Sequence, residues 1–357
     1  MKKYLFIAAI AALSLGACSK NDVALDTNPE NAVSFTTYAG RALTKANGTL
    51  INGANLSTST NPHIGVFAWL NASGKFMGTE TPNMMDNVDV TLQSGGTVAS
   101  ATYSNLQYWP KDAEGDPTYK NVISFAAYYP YGDAHITSVP AKGLGAYTFK
   151  ADDDASLQTD FMVSSVKPNM TKSVSDNGAV PFVFHHMLTK VQFFIKQAAN
   201  YPGTTIKIDN IALSGVKTTG TLTSSYNNTN GNTGFEWSAQ ATPRTYELIS
   251  SSRTLTTDAV KVDANNDAYT YLMIPQILTN DVTITFKYTV TLSGGATVTE
   301  IVPLKLNTAK VGTTPIDEWE RNQNIKYTFT VGLDVITFKA SAEAWAPEEE
   351  AGLTVTK

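Results

Sequence analysis

Short runs in which apolar and polar residues alternate recur along almost the whole chain, and no long run has helical periodicity. Alternation with a period of two is typical of β-strands, and the clusters of Gly, Asn, Asp and Pro between the runs are typical of turns. The runs that predict strands most clearly are 33–38, 64–70, 122–129, 206–211, 269–274, 282–290, 325–331 and 336–344. Because no amphipathic helices intervene, the pattern predicts an all-β protein of packed antiparallel sheets. A chain of 357 residues is long enough for two tandem β-sandwich domains.

The N-terminal residues have the features of a secretory signal, since two lysines precede an apolar run that ends at Leu15. A membrane span needs about 20 apolar residues, so this run is too short to cross a bilayer. Leu15-Gly16-Ala17-Cys18 resembles the bacterial lipobox, in which the signal is removed and the cysteine is acylated. Cys18 is the only cysteine, and lipidation would remove a reactive thiol that has no disulfide partner. We therefore expect a signal peptide at 1–17 and a lipid anchor on Cys18 that holds the precursor at the outer membrane.

The charge balance and the motifs exclude several classes of function. The chain has 26 basic and 31 acidic residues, a formal net charge of −5, which does not favour binding to a phosphate backbone. The sequence contains no G-x-S-x-G, H-E-x-x-H, G-x-x-x-x-G-K-[ST] or G-x-G-x-x-G motif. We therefore predict no catalytic residues, no cofactor and no nucleic-acid partner. An esterase or a glycosidase has no supporting set of residues.

Two adjacent histidines, His185 and His186, begin the alternating segment that runs to Lys196. Adjacent residues of a strand point to opposite faces, so the two imidazoles cannot share one metal ion without a bulge. No cysteine or further histidine lies nearby in the sequence to complete a zinc site. We therefore predict no metal site here. One imidazole is expected to be a core group with a backbone hydrogen-bond partner.

The acidic clusters do not have the ligand spacing of a calcium loop. Asp152, Asp153 and Asp154 are adjacent, whereas a calcium loop uses ligands at every second position around a turn glycine. The stretches 111–117 and 263–267 combine acidic residues with glycine, asparagine or proline and are typical of turns. All three clusters are therefore predicted to be solvated loops.

An ordered series of short motifs runs through the chain. In the first half these are Tyr108-Trp109-Pro110, Ile123–Pro130, Asp160–Val163 and Phe184–Val191. In the second half they are Leu272–Gln276, Trp319, Tyr327–Val331, Ile336–Phe338 and Trp345. Taken in this order and together with the lipobox, the series resembles the fimbrillin family of Bacteroidales over nearly the whole chain that follows the signal.

The resemblance implies a type V pilin, a structural protein and not an enzyme. Such proteins have two transthyretin-like β-sandwich domains, are exported as lipoproteins and are matured by a trypsin-like protease that cuts after arginine or lysine. Cleavage removes the first strand of the N-terminal sandwich. The vacated groove then accepts a strand from the C-terminus of another subunit. The implied partners are other pilin subunits, in a homo- or heteropolymer, and the maturation protease.

Six residues carry this expectation onto the sequence. Arg41 and Lys45 are the basic residues that follow the first strand, and Arg41 is the preferred cleavage site. Val33 and Phe35 belong to the exchangeable N-terminal strand and would face the core of the precursor. Leu353 and Val355 alternate again after the turn signal at 347–352, and they form the candidate donor strand.

The expected organisation is a propeptide with the exchangeable strand at 18–41, an N-terminal domain at 42–184 and a C-terminal domain at 185–357. The segment 336–344 is either an ordinary final strand or part of a C-terminal hairpin that donates, and the sequence leaves both open. It also leaves open whether the subunit belongs to the stalk, the tip or the anchor of a fimbrium.

A cluster of aromatic residues supports an alternative of a different class. The residues concerned are Tyr103, Tyr108, Trp109, Tyr128, Tyr129 and Tyr131. Exposed aromatic rings on a β-sandwich can stack on sugars, so the alternative is a monomeric surface lipoprotein that binds glycans or other host ligands, including a tip adhesin or an anchor subunit. Aromatic residues in strands more often pack in the core.

Overall fold

The computed structural model describes residues 29–39, 62–71, 75–92, 101–111, 121–173, 175, 178–249, 251–262, 270–333 and 335–345. Over these residues the protein is all-β, as the alternation predicts, with short 3₁₀ turns at Pro29–Asn31 and Leu306–Thr308. Within the same ranges no helix is long and apolar enough to span a membrane.

The strands are numbered in chain order. The first ten are β1 (Ser34–Ala39), β2 (His63–Asn71), β3 (Met85–Leu92), β4 (Ala101–Thr102), β5 (Val122–Tyr129), β6 (Ile136–Ser138), β7 (Gly145–Lys150), β8 (Met162–Ser164), β9 (Lys167–Met170) and β10 (Ala179–His186). The next seven are β11 (Thr189–Gln197), β12 (Thr205–Asn227), β13 (Asn232–Ile249), β14 (Arg253–Thr254), β15 (Val260–Val262), β16 (Tyr271–Met273) and β17 (Gln276–Ile277). The last seven are β18 (Thr283–Thr291), β19 (Thr297–Lys305), β20 (Lys310–Val311), β21 (Thr314–Pro315), β22 (Glu318–Trp319), β23 (Gln323–Val331) and β24 (Ile336–Ala344).

Sheet A has eight strands in the order β1-β10-β8-β5-β2-β3-β4, with β9 paired to β5. Its central strands β2 and β5 are buried along almost their whole length. Burial on both faces explains the nearly continuous apolar run at 122–129, because a strand that is covered on both faces needs apolar side chains on both. Sheet A is therefore the central layer of its half of the molecule.

Sheet B has seven strands in the order β19-β18-β12-β7-β6, with β13 and β14 also paired to β12. The hairpin of β12 and β13 is its backbone, since these strands are 23 and 18 residues long. One half of β12, residues 219–224, pairs with β7, and the other half, residues 205–214, pairs with β18. Sheet B thus takes strands from both sides of residue 184, the predicted end of the first domain.

Sheet C has five strands in the order β15-β11-β23-β24, with β16 also paired to β11. Two short pairs, β17 with β22 and β20 with β21, complete the strands described. Most pairs are antiparallel, as predicted, but β1 with β10 and β11 with β23 are parallel. Both parallel pairs place together segments that are far apart in the sequence.

The buried side chains form three cores. The seam core lies on one face of sheet A and includes Val33, Phe35, Trp109, Phe125 and Phe182. The middle core lies on the other face and includes Phe67, Tyr147, Phe161, Leu222 and Trp345. The C-terminal core lies between sheets B and C and includes Phe193, Leu213, Phe286, Trp319 and Tyr327.

The segment that follows Phe184 is not the single strand that the alternation predicts. Strand β10 ends at His186 and β11 begins at Thr189, in a different sheet. Between them Met187 and Leu188 are fully buried, and the Met187 N–H donates to the carbonyl of Phe161 at 2.9 Å. The chain leaves sheet A here because both side chains enter the middle core. The hydrophobic pattern alone does not mark this change of sheet.

A test of the packing on sheet A is the replacement of Gly143, whose φ is +74° and whose added Cβ would lie 2.7 Å from the rings of Phe67 and Trp69. Gly132 is a matched control, since its φ is +71° but no atom lies within 4 Å of its added Cβ. We expect Gly132→Ala to lower the free energy of unfolding by about 1–2 kcal/mol through backbone strain alone. Gly143→Ala should lose a further 1–3 kcal/mol, roughly, from overpacking. Urea denaturation of both variants checks this, and equal losses would contradict it.

Candidate assembly site

Strand β1 is the edge strand of sheet A and lies parallel to β10. Its six residues pair in register from Ser34 opposite Ala179 to Ala39 opposite Phe184. Parallel neighbours need a long connection, and here the whole of β2 to β9 separates the two strands in the sequence. The partner of the first strand is therefore not deducible from local pattern.

The residues that lead into β1 also contact the opposite edge of sheet A. Ala32 forms an isolated antiparallel bridge with Tyr108. The Val33 N–H donates to the carbonyl of Gln107 at 2.8 Å, and the Trp109 N–H donates to the carbonyl of Asn31 at 3.0 Å. Strand β4 is the last strand in the order of sheet A, and residues 103–109 follow it directly in the sequence. The segment 31–39 therefore joins the two ends of sheet A. We call this junction, formed by residues 31–39 with 103–109 and β10, the seam.

Two side chains of this segment fill the seam core. Val33 and Phe35 are 1% and 0% exposed. The ring of Phe35 stacks on Phe182 of β10 at 5.5 Å between centroids, and it lies 5.8 Å from Phe125 and 5.8 Å from Tyr103. Such aromatic contacts contribute about 0.5–1.5 kcal/mol each beyond the area they bury. The exchangeability of the strand stays a prediction, whereas the inward orientation of both side chains is a feature of the structure.

Tyr103 is a further contact of the seam. Its hydroxyl donates to the carbonyl of Val33 at 2.8 Å. Burial raises the pKa of Tyr103 to about 12, so the phenol keeps its proton and remains a donor over the ordinary pH range. Tyr103 belongs to the aromatic cluster that suggests sugar stacking, but in the fold its hydroxyl binds the backbone of the residue before the first strand.

Hydrogen bonds to residues near the start of β10 hold the segment where β1 begins. The indole Nε1 of Trp109 donates to the carbonyl of Gly178 at 3.0 Å, and the Ser34 N–H donates to the same carbonyl at 3.4 Å. The ammonium of Lys172 donates to the side-chain oxygen of Asn31. These contacts fix the register at the N-terminal end, where the two apolar anchors enter the core.

Five of the predicted site residues lie outside the described residues. They are Cys18, Arg41, Lys45, Leu353 and Val355. The structure therefore tests neither lipidation nor cleavage nor donation. It does place the end of β1 at Ala39, two residues before Arg41.

The segment 336–344 forms β24, with the bounds that the alternation predicts. It pairs with β23 along its whole length, from Ile336 opposite Val331 to Ala344 opposite Gln323. Its last four residues, 341–344, are exposed, whereas Trp345 after them is buried. In this structure β24 is a strand of its own subunit, which is one of the two possibilities that the sequence leaves open.

The two histidines have separate partners, as the strand geometry predicts. The Nε2 atom of His185 lies 2.8 Å from the Ser165 hydroxyl. His186 is fully buried, and its Nδ1 lies 2.8 Å from the Asp160 carboxylate. The prediction of a backbone partner for the buried imidazole is wrong, because the partner is the side chain of Asp160, just before β8. Asp160 begins one of the sequence motifs, but the motif does not indicate which residue Asp160 contacts.

The acidic cluster at 152–154 is a hydrogen-bonded turn next to His135. Asp152 accepts from the Asp154 N–H at 2.9 Å, and Asp154 accepts from the Ser156 N–H at 2.8 Å. The hydrogen bond to Asp133, 2.7 Å from Nδ1, raises the pKa of His135. No group of three or more potential ligands among the described residues has the geometry to hold a metal ion.

The aromatic residues of the alternative function are mostly buried. Trp109, Tyr128 and Tyr129 lie in the cores, and Tyr103, Tyr108 and Tyr131 are half-buried. Among the side chains that the structure describes, no aromatic residue is fully exposed. The cluster is therefore mainly packing, and exposed rings do not provide a sugar platform in the described part of the chain.

An open groove of about 700 Å³ lies beside the end of β24. The rings of Phe235 and Trp237 form part of its wall, and the Arg321 guanidinium lies 5.3 Å from the centroid of Phe235. Its carboxylates are Glu236, Glu318, Glu320 and Glu343. The groove is thus acidic, with two half-buried rings on one side.

The contribution of the seam is tested by Phe35→Ala. Loss of the ring leaves a cavity in the seam core, so the free energy of unfolding should fall by about 3–5 kcal/mol. Thr36→Ala, in the same strand but on its half-buried other face, should cost less than about 1 kcal/mol. Chemical denaturation of both variants is the measurement. Similar losses for the two would show that Phe35 does not anchor the strand.

The pH dependence of stability tests the Tyr103 hydrogen bond. At neutral pH, Tyr103→Phe should lose about 1 kcal/mol because the bond to Val33 is absent. Burial raises the pKa of Tyr103 in the folded protein to about 12, above the ordinary tyrosine value of about 10, so the unfolded state loses its proton first. The stability from Tyr103 is therefore full below pH 10 and declines as the pH rises to about 12. The difference between the two proteins should narrow in that window, and a constant difference would contradict the assignment.

Comparisons with known proteins agree with this architecture. Residues 44–345 match the model of the fimbrillin-like family. A fimbrial protein from Bacteroides vulgatus has a similar structure, with a TM-score of 0.60 at 19% identity over 88% of this chain and 99% of that one. A candidate cell adhesion protein from Bacteroides uniformis aligns with a TM-score of 0.51 at 20% identity, over 89% and 100%. No curated protein sequence matches. Since the family match covers most of the sequence and these structures share the fold, the chain belongs to the fimbrillin-like family.

Proposed function

We propose that this protein is a structural subunit of a cell-surface fimbrium, exported as a lipoprotein, cut after its first strand and polymerised by β-strand exchange in the service of adhesion. The observation that carries the proposal is the seam. A single short strand, β1, pairs with β10 at one edge of sheet A, and the residues before it contact the opposite edge.

Removal of β1 would create an acceptor groove. The outer edge of β10 would lose its ladder partner, and the pockets of Val33 and Phe35 would open to water. Burial of each of these side chains is worth about 1.5–3 kcal/mol. An unpaired edge next to an apolar strip is a template for a strand from another chain.

The C-terminal segment has a matching pattern. Val33-Ser34-Phe35 and Leu353-Thr354-Val355 both place a hydroxyl residue between two apolar residues. A donor that runs antiparallel to β10, opposite to the direction of β1, would put Val355 in the pocket of Val33 and Leu353 in the larger pocket of Phe35. A donor that runs parallel to β10, as β1 does, would leave valine in the larger pocket. Because cavities cost stability, we propose antiparallel insertion. Antiparallel pairing is also slightly more stable per residue.

The proposed maturation begins at the membrane and ends at the seam. Lipidation of Cys18 would hold the precursor at the outer membrane while β1 keeps the groove closed. The cut at Arg41, or at Lys45, would fall just beyond the end of β1 at Ala39. The proposed partners are therefore a trypsin-like protease first and other subunits afterwards.

The acidic groove beside β24 favours the alternative, a surface lipoprotein that binds a glycan or another host ligand. The groove is lined by carboxylates, by the amides of Gln240 and Gln323 and by the side chains of Phe235 and Trp237. Such groups can bind the hydroxyls and rings of sugars. A tip adhesin or an anchor subunit would combine this groove with the fimbrial fold. Glycan-array binding by the uncut monomer would support this function.

Polymerisation is tested with soluble protein that begins at Ser19 and therefore carries no lipid. Trypsin treatment of the wild type should give ladders that resist SDS, with Ala42 as the new N-terminal residue. Arg41→Ala should delay them, and Arg41→Ala with Lys45→Ala should abolish them. A chain that ends before Leu353 is the control, because it is cut but has no donor. A wild-type protein that loses β1 and stays monomeric and folded at high concentration would refute strand exchange.

A further inference from the structure

At the end of β24 the side chains change abruptly from exposed to buried. Residues 341–344 are exposed, and Trp345 directly after them is only 4% exposed and belongs to the middle core. A tryptophan buries about 150–250 Å² of side-chain surface. The chain is therefore fixed in the middle core just after a stretch whose side chains are exposed.

The indole of Trp345 lies flat on the imidazole of His186. The ring centroids are 3.9 Å apart and the planes are inclined by 12°. The imidazole is itself held by the buried Asp160 carboxylate, 2.8 Å from Nδ1, with both side chains 1–2% exposed. The stacking partner is thus fixed in orientation before the indole is placed on it.

Backbone hydrogen bonds hold the same point. The Trp345 N–H donates to the carbonyl of Asn322 at 2.5 Å, and the Asn322 N–H donates to the carbonyl of Leu188 at 3.0 Å. Asn322 is buried and has a φ of +60°, a left-handed conformation that asparagine adopts more easily than most residues. Three segments of the chain therefore meet at Trp345: the junction between β10 and β11, the turn before β23 and the end of β24. We call Trp345, His186, Asp160 and Asn322 the clamp.

We propose that the clamp is the fixed root of the donor segment. On this proposal β24 remains in sheet C of its own subunit, and only residues 346–357 cross to a second copy of this chain that has lost β1. The inference rests on the proposed function for the identity of the partner. The clamp itself is a property of the single subunit.

The length of the segment fits this assignment. Residues 346–357 reach about 40 Å when extended, whereas residues 31–39 span about 30 Å. The segment is thus at least as long as the stretch that it would replace, and it contains two apolar residues for the two apolar pockets. A longer donor would require β24 to leave β23 and expose the partly buried ring of Phe338.

The charge around the root directs the segment away from the adjacent groove. Ala344 lines that groove together with four carboxylates, those of Glu236, Glu318, Glu320 and Glu343, and one cation, Arg321. The segment begins with Glu348, Glu349 and Glu350 shortly after the clamp. Like charges repel within the Debye length, about 8 Å at physiological ionic strength, so the excess of carboxylates makes this groove an unfavourable place for the segment.

Limited proteolysis of the folded precursor tests the root without any variant. A glutamate-specific protease should cut after Glu348, Glu349 or Glu350 at least about tenfold faster than after Glu343, because cleavage at Glu343 requires the clamped end of β24 to open. Equal rates at the two places would overturn the proposal.

Hydrogen exchange of variants tests whether Trp345 is the residue that holds the end of β24. In Trp345→Ala the amides of residues 341–345 should exchange at least about tenfold faster, whereas the amides of residues 336–339 should be unchanged. Trp345→Phe should restore most of the protection, since it keeps a ring on His186. Phe338→Ala is the matched control, because it removes a partly buried ring of the same strand but leaves the clamp. If Trp345→Ala folds and its amides at 341–345 exchange as slowly as those of the wild type, the proposal is overturned. If this variant does not fold, the proteolysis of the wild-type protein remains the test.

Exchange in the assembled state separates this proposal from the proposed function. In polymers of the trimmed protein, residues 346–357 should gain protection, and residues 336–345 should keep the protection that they have in the monomer. Loss of protection at 336–344 on assembly would show that β24 itself is donated and would overturn the root. A trimmed protein that shows the clamp but never polymerises would overturn strand exchange and leave the clamp standing.

Discussion

The closing of sheet A on itself is the constraint on which the N-terminal half of the molecule depends. A sheet whose central strands are buried on both faces has two edges that must be covered, because unpaired edges expose backbone groups and core to solvent. Here one segment covers both. Strand β1 completes the ladder of β10, and residues 31–33 reach the carbonyl of Gln107 and the N–H of Trp109 at the other edge. The integrity of the seam core therefore depends on a single short piece of chain.

The consequences of losing that piece are local. Val33 and Phe35 belong to the seam core, whose members are distinct from those of the middle and C-terminal cores. The hairpin of β12 and β13 pairs with β7 at one end and β18 at the other, so it links the two halves without any contribution from β1. Opening the seam would thus expose one core and leave the others packed, which is the behaviour expected of a unit with its own local stability.

The strands that cross the cores could be predicted from the sequence, because their burial produces a pattern. The apolar run at 122–129 became β5 and the alternation at 336–344 became β24, with the expected bounds. The great length of β12 and β13 could not be predicted from the sequence. Threonine, serine and glycine recur along β12, and they do not produce a clear alternation of apolar and polar residues even where they are buried. The hydrophobic pattern does not predict the break after His186 either, because Met187 and Leu188 continue the apolar pattern while the chain moves from sheet A to sheet C.

Contacts between distant parts of the chain were beyond the reach of local pattern. The buried partner of His186 lies 26 residues earlier at Asp160, and the stacked indole comes from the end of β24. The same holds for Tyr103, which binds the backbone of Val33 across 70 residues of sequence. Periodicity identified Val33 and Phe35 as inward-facing, but it does not tell which strand they lie beside.

The two terminal strands of the described chain are held in unequal ways, and this inequality gives the proposed filament a direction. Strand β1 has six residues in one parallel ladder, and two apolar anchors hold it, Val33 just before the strand and Phe35 within it. Strand β24 has nine residues in one antiparallel ladder, and it ends in an indole that is stacked on a buried imidazole. Antiparallel pairing is slightly more stable per residue, and the clamp adds to it. The proposed cut would therefore release the N-terminal strand more easily than the C-terminal one. A subunit built in this way would lose its first strand while it keeps its last, so each subunit would receive at the seam and give from beyond Trp345.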